Sequence, residues 1–531
     1  MIIIQGWERF RELFYYHKEL QLALDISRMK FYPEYFREME HAMKGVFSGL
    51  AELEKGAIAN PDENRMVGHY WLRNPQLAPR LELTQEIEDT WEEILAFVEK
   101  VHQGKLLGEK GKVFRNYLLI GIGGSSLGPR FLRTALSSSQ DKLKGYFIDN
   151  TDPDGMDQIL EEIGNELDQT LCLVVSKSGG TIETYNGMLE VQSIYREQGL
   201  NFGRHAVAIT EKGSKLDLLS QRGNWLKVFP MWDWVGGRTS VFSAVGLLPL
   251  ALQGIPIQSF LDGARKCDEE TRRQDYRVNP GAILALMWYY ATQGQGGKEM
   301  VVLPYKDRLE LLGKYLQQLI MESLGKEKNL QGETVHQGLT VYGNKGSTDQ
   351  HSYLQQLLEG PNNFFVTFIE VLKDRNKKSP LIGENSTSGD YLQAMLLGTR
   401  DALSQKGRES ITITIPEVSP YSLGVLIALF ERAVSIYALL VGLNPYHQPA
   451  VEMGKKVARE VISLKNQIQD LLMSQEGVSF TIEEIAAQIR EEGNEEKVFR
   501  ILWHLVSNPD HQVEVEENED IFKRRFYFKG S

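Results

Sequence analysis

The residue types able to bind and transform a small anion fall in six short stretches of the chain. The first is Gly121-Ile122-Gly123-Gly124-Ser125-Ser126-Leu127-Gly128-Pro129. It follows a strand-like run and opens a helix-like one, so its glycines let backbone N–H groups approach an anion at a helix start. Three readings stay open for it: an anion site with Gly124 and Ser125 lining it, a dinucleotide loop, or a plain tight turn. Asp149 falls about where a ribose-binding acid would stand, but Ser126 breaks the G-x-G-x-x-G spacing. The second stretch, Ser176-Lys177-Ser178-Gly179-Gly180-Thr181, brings hydroxyls, a lysine and two glycines to another helix start. That set can surround one phosphate with hydrogen bonds and charge, or it can be a hydroxyl-rich cap. The Walker order G-x-x-x-x-G-K-[ST] is absent.

The other four stretches could carry the chemistry itself. In Gly236-Gly237-Arg238, the glycines would let a substrate reach backbone and guanidinium; the plain alternative is a turn with a surface arginine. Gln318 and Glu322 stand four apart and share one face of a helix. Apolar neighbours around Glu322 would make it a stronger base, although most helical glutamates are solvated. His351 follows Ser347-Thr348-Asp349-Gln350 and is read here in a first helical turn, where the dipole disfavours the imidazolium. A neutral imidazole exchanges protons with a hydroxyl, though a lone histidine is more often structural. In Tyr446–Lys455, Gln448 and Lys455 could face a ligand, or the segment could be an ordinary helix.

These residues need a frame. The run of strand-like segments Tyr117–Ile122, Gly145–Asp149, Leu171–Ser176 and His205–Thr210 alternates with helical periods. That pattern predicts a mostly parallel sheet wrapped by helices, with loops at the carboxyl ends of strands. A second run of the same kind starts near Glu299 and includes a helix over Leu309 to Leu324, strand-like Leu339–Gly343, a helix from His351 to Leu358, and strand-like Phe364–Val371. The first 85 or so residues read as helical, with amphipathic spacing in Arg9 to Leu24 and Phe36 to Leu53. A turn-rich surface excursion is expected over Lys373 to Ser388.

A chain of 531 residues has room for about three domains. With 42% apolar and 24% charged residues it is of ordinary globular composition. A formal charge of −12 argues against a nucleic-acid scaffold but allows a local basic pocket. Two cysteines, Cys172 and Cys267, give neither a disulfide framework nor zinc spacing and suit a reducing cytoplasm. The first residues lack the pattern of a signal peptide. The longest apolar run, Tyr421 to Leu443, is interrupted by Glu431 and Arg432 and is expected to be a core helix.

Taken in order from about residue 60 to 465, the six stretches resemble the glucose-6-phosphate isomerase family, in its bacterial form. Ser126 and Thr239 depart from the commoner residues of that family. The resemblance implies an α/β fold of two sugar-isomerase (SIS) sandwiches with mainly parallel sheets, at 86–255 and 256–470. An N-terminal helical segment, 1–85, would pack on the second sandwich, and 471–531 would form a small extension. It implies an aldose–ketose isomerase of glycolysis and gluconeogenesis, passing through a cis-enediol. Ser176, Lys177, Ser178 and Thr181 would hold the 6-phosphate beside Gly124 and Ser125. His351, with Lys455, would open the ring. Glu322 would move the proton between C2 and C1, and Gly237 and Arg238 would stabilise the enediolate. Gln318 and Gln448 would complete the pocket. The histidine would come from the second subunit of an obligate homodimer, with no metal or organic cofactor and no nucleic-acid or membrane partner. The competing readings are a sugar-phosphate sensor on the same fold and a nucleotide-dependent oxidoreductase. A sensor need not keep Glu322, His351, Arg238 and Lys455 together.

Residues 476–531 lie beyond the resemblance. Two helical periods and two strand-like runs suggest a winged-helix-like module, yet it holds seven Lys and Arg against thirteen Asp and Glu. Such a charge disfavours DNA, so a packing or protein-interaction module dispensable for chemistry is expected.

Overall fold

The computed structural model describes residues 6–530, apart from the side chains of Glu452, Met453 and Lys455. It divides into two compact units, Met1–His447 and Gln448–Ser531.

The first unit opens with a helix, Trp7–Leu13, and two antiparallel strands, β1 (Phe14–His17) and β2 (Leu22–Asp25). The helical spacing read over Arg9 to Leu24 therefore ends at Leu13. From there the aromatic run Phe14-Tyr15-Tyr16 favours extended chain. All four residues of β2 are buried, and its Leu24 pairs antiparallel with Ile413 of the second sheet. Two long amphipathic helices follow, Tyr35–Glu54 and Leu81–His102.

The first sheet contains β3 (Asn116–Ile120), β4 (Lys144–Ile148), β5 (Thr170–Val175), β6 (Ala206–Thr210) and β7 (Lys227–Pro230). Every pairing is parallel, in the order β4-β3-β5-β6-β7. β3, β5 and β6 are buried along their whole length, as the unbroken apolar runs require for strands covered on both faces. From β3 the chain steps to β4 on one side, and from β5 it steps to β6 and β7 on the other, so the switch point lies between β3 and β5. Ligands of open α/β sheets bind outside such a point.

The second sheet contains β8 (Glu299–Pro304), then, past the separate antiparallel pair β9 (Lys326–Lys328) and β10 (Thr334–Gln337), β11 (Val341–Tyr342), β12 (Phe364–Val371) and β13 (Glu409–Ile415). Its order is β1-β2-β13-β12-β8-β11, parallel except where the N-terminal strands add antiparallel to β13. The fold is thus α/β with two mainly parallel sheets.

The helix Pro420–Leu440 is long and apolar enough to cross a membrane, yet its side chains are buried within the protein. It meets the helix Ile257–Thr271 at two glycines. A Cβ on Gly424 would lie 2.1 Å from the Phe260 carbonyl oxygen, and one on Gly263 would lie 2.1 Å from that of Tyr421. The two charges that interrupt it join a buried network. Arg73 donates to both carboxylate oxygens of Asp268 (2.9 and 3.2 Å) and pairs with Glu431 at 2.5 Å. Arg432 donates to Asp268 at 2.8 Å and pairs with Glu54. Four elements are locked by charges whose removal from water is repaid only while all partners are present.

In the second unit, the helix Pro449–Ser474 is followed by helices Ile482–Gln488 and Glu495–Ser507 and an antiparallel hairpin, β14 (Val513–Glu516) and β15 (Arg525–Phe528). Leu464, Ile468 and Leu472 of the long helix share one core with Ile485, Val498, Leu502, Leu505 and Phe526.

Breaking the buried network from one side should be costly. Arg73→Met should lower stability by about 3–5 kcal/mol, because Asp268 and Glu431 lose a buried counter-charge. The check is the urea midpoint against wild type; an unchanged midpoint would mean the network contributes no net stability.

Candidate active site

Three loops of the first sheet converge at the switch point. Gly121 follows β3, and Gly123–Ser125 forms a single 3-10 turn before the helix Leu127–Leu136. Gly123 has φ +58°, and a Cβ there would come within 3.1 Å of Gln318 Nε2. A Cβ on Gly124 would sit 2.0 Å from the carbonyl oxygen of Gly237. The first loop and the Gly236-Gly237-Arg238 turn are therefore in backbone contact, and only glycine fits at 124. Ser126 is buried and its Oγ lies 3.3 Å from Asp149, which Arg130 also holds at 2.9 Å. The acid that a dinucleotide reading would assign to a ribose is engaged by the loop's own helix.

After β5, Gly179 (φ +66°) donates to Ser176 Oγ at 3.1 Å, Gly180 donates to Ser178 Oγ at 3.1 Å, and the Ser176 and Thr181 hydroxyls meet at 3.3 Å. Thr181 opens the helix Ile182–Glu197 without capping it. The Lys177 ammonium donates to the carbonyls of Asp233 (2.8 Å) and Val235 (3.2 Å), the residues that lead into Gly236-Gly237-Arg238. Burial and the charge of Arg65 hold its pKa below the usual lysine range. Lys177 thus ties one loop to the next.

Arg238 is 4% exposed. It pairs with Glu322 at 2.8 Å and donates to the carbonyls of Pro445 (2.9 Å) and His447 (3.0 Å). Of the two readings of Arg238, a surface turn and a ligand-facing guanidinium, the surface one fails: the arginine is a buried hub. Glu322 does not sit in an apolar shell either: its side chain is 21% exposed and faces the guanidinium. The helix read over Leu309 to Leu324 is built from three kinds of turn. A 3-10 turn Asp307–Leu309 and a short α-helix Leu312–Leu316 lead into a π-helix, Gln317–Glu322. Wide turns of this kind concentrate at functional sites. Here one carries Gln318 to the first loop and Glu322 to Arg238.

Sequence reasoning passed over Lys326. Its ammonium donates to the carbonyls of Glu322 (2.7 Å) and His447 (3.0 Å). Burial, then the charge of Arg238, lowers its pKa to about 7, against the opposing pull of Glu322 and Asp62. The signal was its place four residues after Glu322. Asn444, also unmarked, donates to Asn60 Oδ1 (2.9 Å) and Asp62 Oδ2 (2.6 Å), while its own Oδ1 accepts from the Tyr446 N–H (3.0 Å). These bonds fix the turn whose carbonyls Arg238 and Lys326 use.

His351 ends a 3-10 turn, Thr348–His351, ahead of the helix Leu354–Glu359. It is not in a first helical turn, so the dipole argument made for it does not apply. Buried Asp349 shapes this segment by accepting from the N–H groups of Asn344 (2.8 Å) and Lys345 (3.2 Å) and from the Tyr353 hydroxyl. The His351 side chain is exposed, and among the described residues no hydrogen bond or ion pair joins it to Arg238 or Glu322. Gln448 precedes the helix Pro449–Ser474 of the second unit, and the Lys455 side chain lies outside the described residues. One cluster thus unites Gly124, Gly237, Arg238, Gln318 and Glu322, with the Ser176–Thr181 loop linked to it through Lys177.

Glycine loops at a switch point, beside a carboxylate–guanidinium pair, define a class of α/β protein that handles small anionic metabolites. Comparison makes this specific. The phosphoglucose isomerase family model matches residues 37–477. A glucose-6-phosphate isomerase of Desulfitobacterium hafniense (strain Y51) is 66% identical over 530 residues, spanning 100% of this chain and 99% of that protein. One from Geobacter sulfurreducens is 56% identical, covering 98% of each. The crystal structure of a glucose-6-phosphate isomerase from Chlamydia trachomatis superposes with a TM-score of 0.80 at 25% identity, covering 87% of this chain and 92% of that one. The chain belongs to the phosphoglucose isomerase family.

The contact between the first loop and the Gly237 turn gives a direct test. Gly124→Ala must push the two backbones apart or displace Arg238. Overpacking of this kind costs about 1–3 kcal/mol. Activity should fall further than that stability loss alone predicts, measured as residual turnover at a temperature where the variant is fully folded.

Proposed function

We propose that this protein interconverts glucose 6-phosphate and fructose 6-phosphate as an aldose–ketose isomerase. Membership of the family supports the reaction, and one observation supports its placement here: a carboxylate and a buried guanidinium 2.8 Å apart, walled by glycine loops at a sheet switch point. In this reading Glu322 takes the C2 proton and returns it to C1. Arg238 and Gly237 face the oxygen that becomes anionic in the enediolate, where a fixed, desolvated cation has its largest effect. The Ser176–Thr181 loop, with Ser178 exposed and the helix start uncapped by Thr181, takes the phosphate, next to Gly124 and Ser125. Lys177 supplies positive charge there while it also holds the Arg238 turn. Gln318 borders the pocket through its contact with the first glycine loop. A sugar-phosphate sensor would need none of the Arg238–Glu322 arrangement.

His351, exposed on a segment built around Asp349, suits a site completed by a second copy of the chain. We assign it to ring opening in a homodimer with shared sites. The extension at 471–531 is assigned to packing, since its apolar residues form one core with the long helix before it. A cytoplasmic location fits two buried, unpaired cysteines.

Glu322→Gln keeps the shape of the side chain and removes the base. Its kcat should fall by about 10²–10⁴-fold, and solvent deuterium incorporation at C2 should fall in step. Turnover near wild type would remove Glu322 from the role. His351→Ala should impair cyclic substrate more than open-chain substrate. Mixing it with Glu322→Gln should restore part of the activity if sites are shared; if refolded mixtures stay as inactive as the parents, each chain works alone.

A further inference from the structure

We propose that Lys326 is a positioning residue of the isomerisation, holding the turn that carries Glu322 and the arginine that faces it in one register. This inference rests on the reading of Glu322 as the base.

The argument starts from backbone accounting. The last carbonyls of a helix lack the N–H donors that the next turn would supply. The π-helix ends at Glu322, and the chain then turns through Gly325, whose N–H goes to Met321, into β9 at Lys326. In a continuing α-helix the Lys326 N–H would reach the Glu322 carbonyl. Here its side chain does so, at 2.7 Å. The same ammonium reaches the His447 carbonyl at 3.0 Å, and that carbonyl also accepts from Arg238 at 3.0 Å. Two cations therefore converge on one oxygen, and each reaches Glu322 from a different side: Arg238 at the carboxylate, Lys326 at the main chain. A third fixed point, the Asn444 turn tied to Asn60 and Asp62, keeps that oxygen in place.

Placing a lysine beside an arginine has a cost, and the surroundings show it. Arg238, Glu322, Asp62 and His447 are the charged and titratable groups around the ammonium, and burial with the Arg238 charge outweighs the two carboxylates. Together they bring the pKa of this ammonium down to about 7, far below the usual lysine range. A lysine serving only as a hydrophobic filler with a charged tip would point that tip to water. This one is 6% exposed and spends its donors on the two carbonyls that set the site. As pH rises past its pKa, the ammonium becomes an amine, a weaker donor to both carbonyls, and the register loosens.

The test uses the full-length protein with fructose 6-phosphate. Lys326→Met should lower kcat by about 10²-fold, the cost of a misplacement of about 1 Å, with KM little changed. Lys326→Arg should recover most of kcat near neutral pH. It should also move the alkaline fall of kcat/KM upward by more than about one pH unit, because a guanidinium keeps its proton. Wild-type kcat in Lys326→Met, or a loss confined to KM, overturns the proposal. If Lys326→Met does not fold, the Lys326→Arg profile decides: an alkaline limb in the wild-type position overturns it, and a shifted one supports it. Deuterium exchange by Glu322→Gln separates the two readings. If that variant is inactive while Lys326→Met is normal, only the positioning role fails; if it exchanges normally, the base assignment fails first.

Discussion

The site depends on the burial of one guanidinium. Arg238 has left water, and an unpaired charge in that position would cost several kcal/mol. Its partners include the Glu322 carboxylate and the carbonyls of Pro445 and His447. Arginine suits this because a planar fork meets several acceptors at once, which a lysine cannot do. Each partner belongs to a different part of the first unit. The arginine follows the last strand of the first sheet, Glu322 lies on the π-helix beyond β8, and the carbonyls close the unit. Satisfying one charge therefore fixes the mutual placement of three distant segments.

The glycines make that burial possible. Gly124 lets the first loop lie directly on the Gly237 carbonyl, and Gly179 lets the second loop turn back beside Leu216 with φ +66°. Each such residue loses more chain entropy on folding than a substituted one would. The return is close backbone approach at the switch point, where two helix starts can face an anion without side chains between. Lys177 then couples the loops, so on the proposed roles the segment for the phosphate and the segment for the reacting carbons are parts of one hydrogen-bonded assembly.

Much of this was legible in the sequence because the signals were local. β3, β5, β6, β8 and β12 announce themselves as short apolar runs bounded by turn residues, and both glycine loops sit directly after strands. Illegible features depended on distant partners. β1 and β2 are strands because β13 offers an edge, which no spacing in Arg9 to Leu24 records. The π-helix at Gln317–Glu322 has the same apolar period as an α-helix, and only the pull of Arg238 and the Gly123 loop distinguishes it. Arg238 read equally well as surface or site, since burial of an arginine is decided by what it meets. Lys326 was hidden for a simpler reason: its acceptors are main-chain carbonyls, and carbonyls leave no trace in composition. His351 was misplaced as geometry, because the buried Asp349 bends the segment into a 3-10 turn before the next helix begins.

The resting pair of Arg238 and Glu322 bears on how such a site would accelerate a proton shift. A cation that bound substrate and enediolate equally would lower KM and leave kcat alone. Arg238 is already desolvated, and two of its contacts are to carbonyls that do not move with the reaction. Charge appearing on a substrate oxygen would then meet a positive potential that needs no reorientation, which is the condition under which electrostatic stabilisation is largest. The neutral carbonyl of the bound sugar would gain much less from the same cation. Glu322 enters this balance from the other side. On its proposed role, accepting a proton would end its competition for the guanidinium just as the enediolate oxygen would begin to need it. On the proposed roles, one buried arginine thus passes from the carboxylate to the substrate along the reaction, and the rigidity imposed by His447, Pro445 and Lys326 allows that exchange without displacement of the chain.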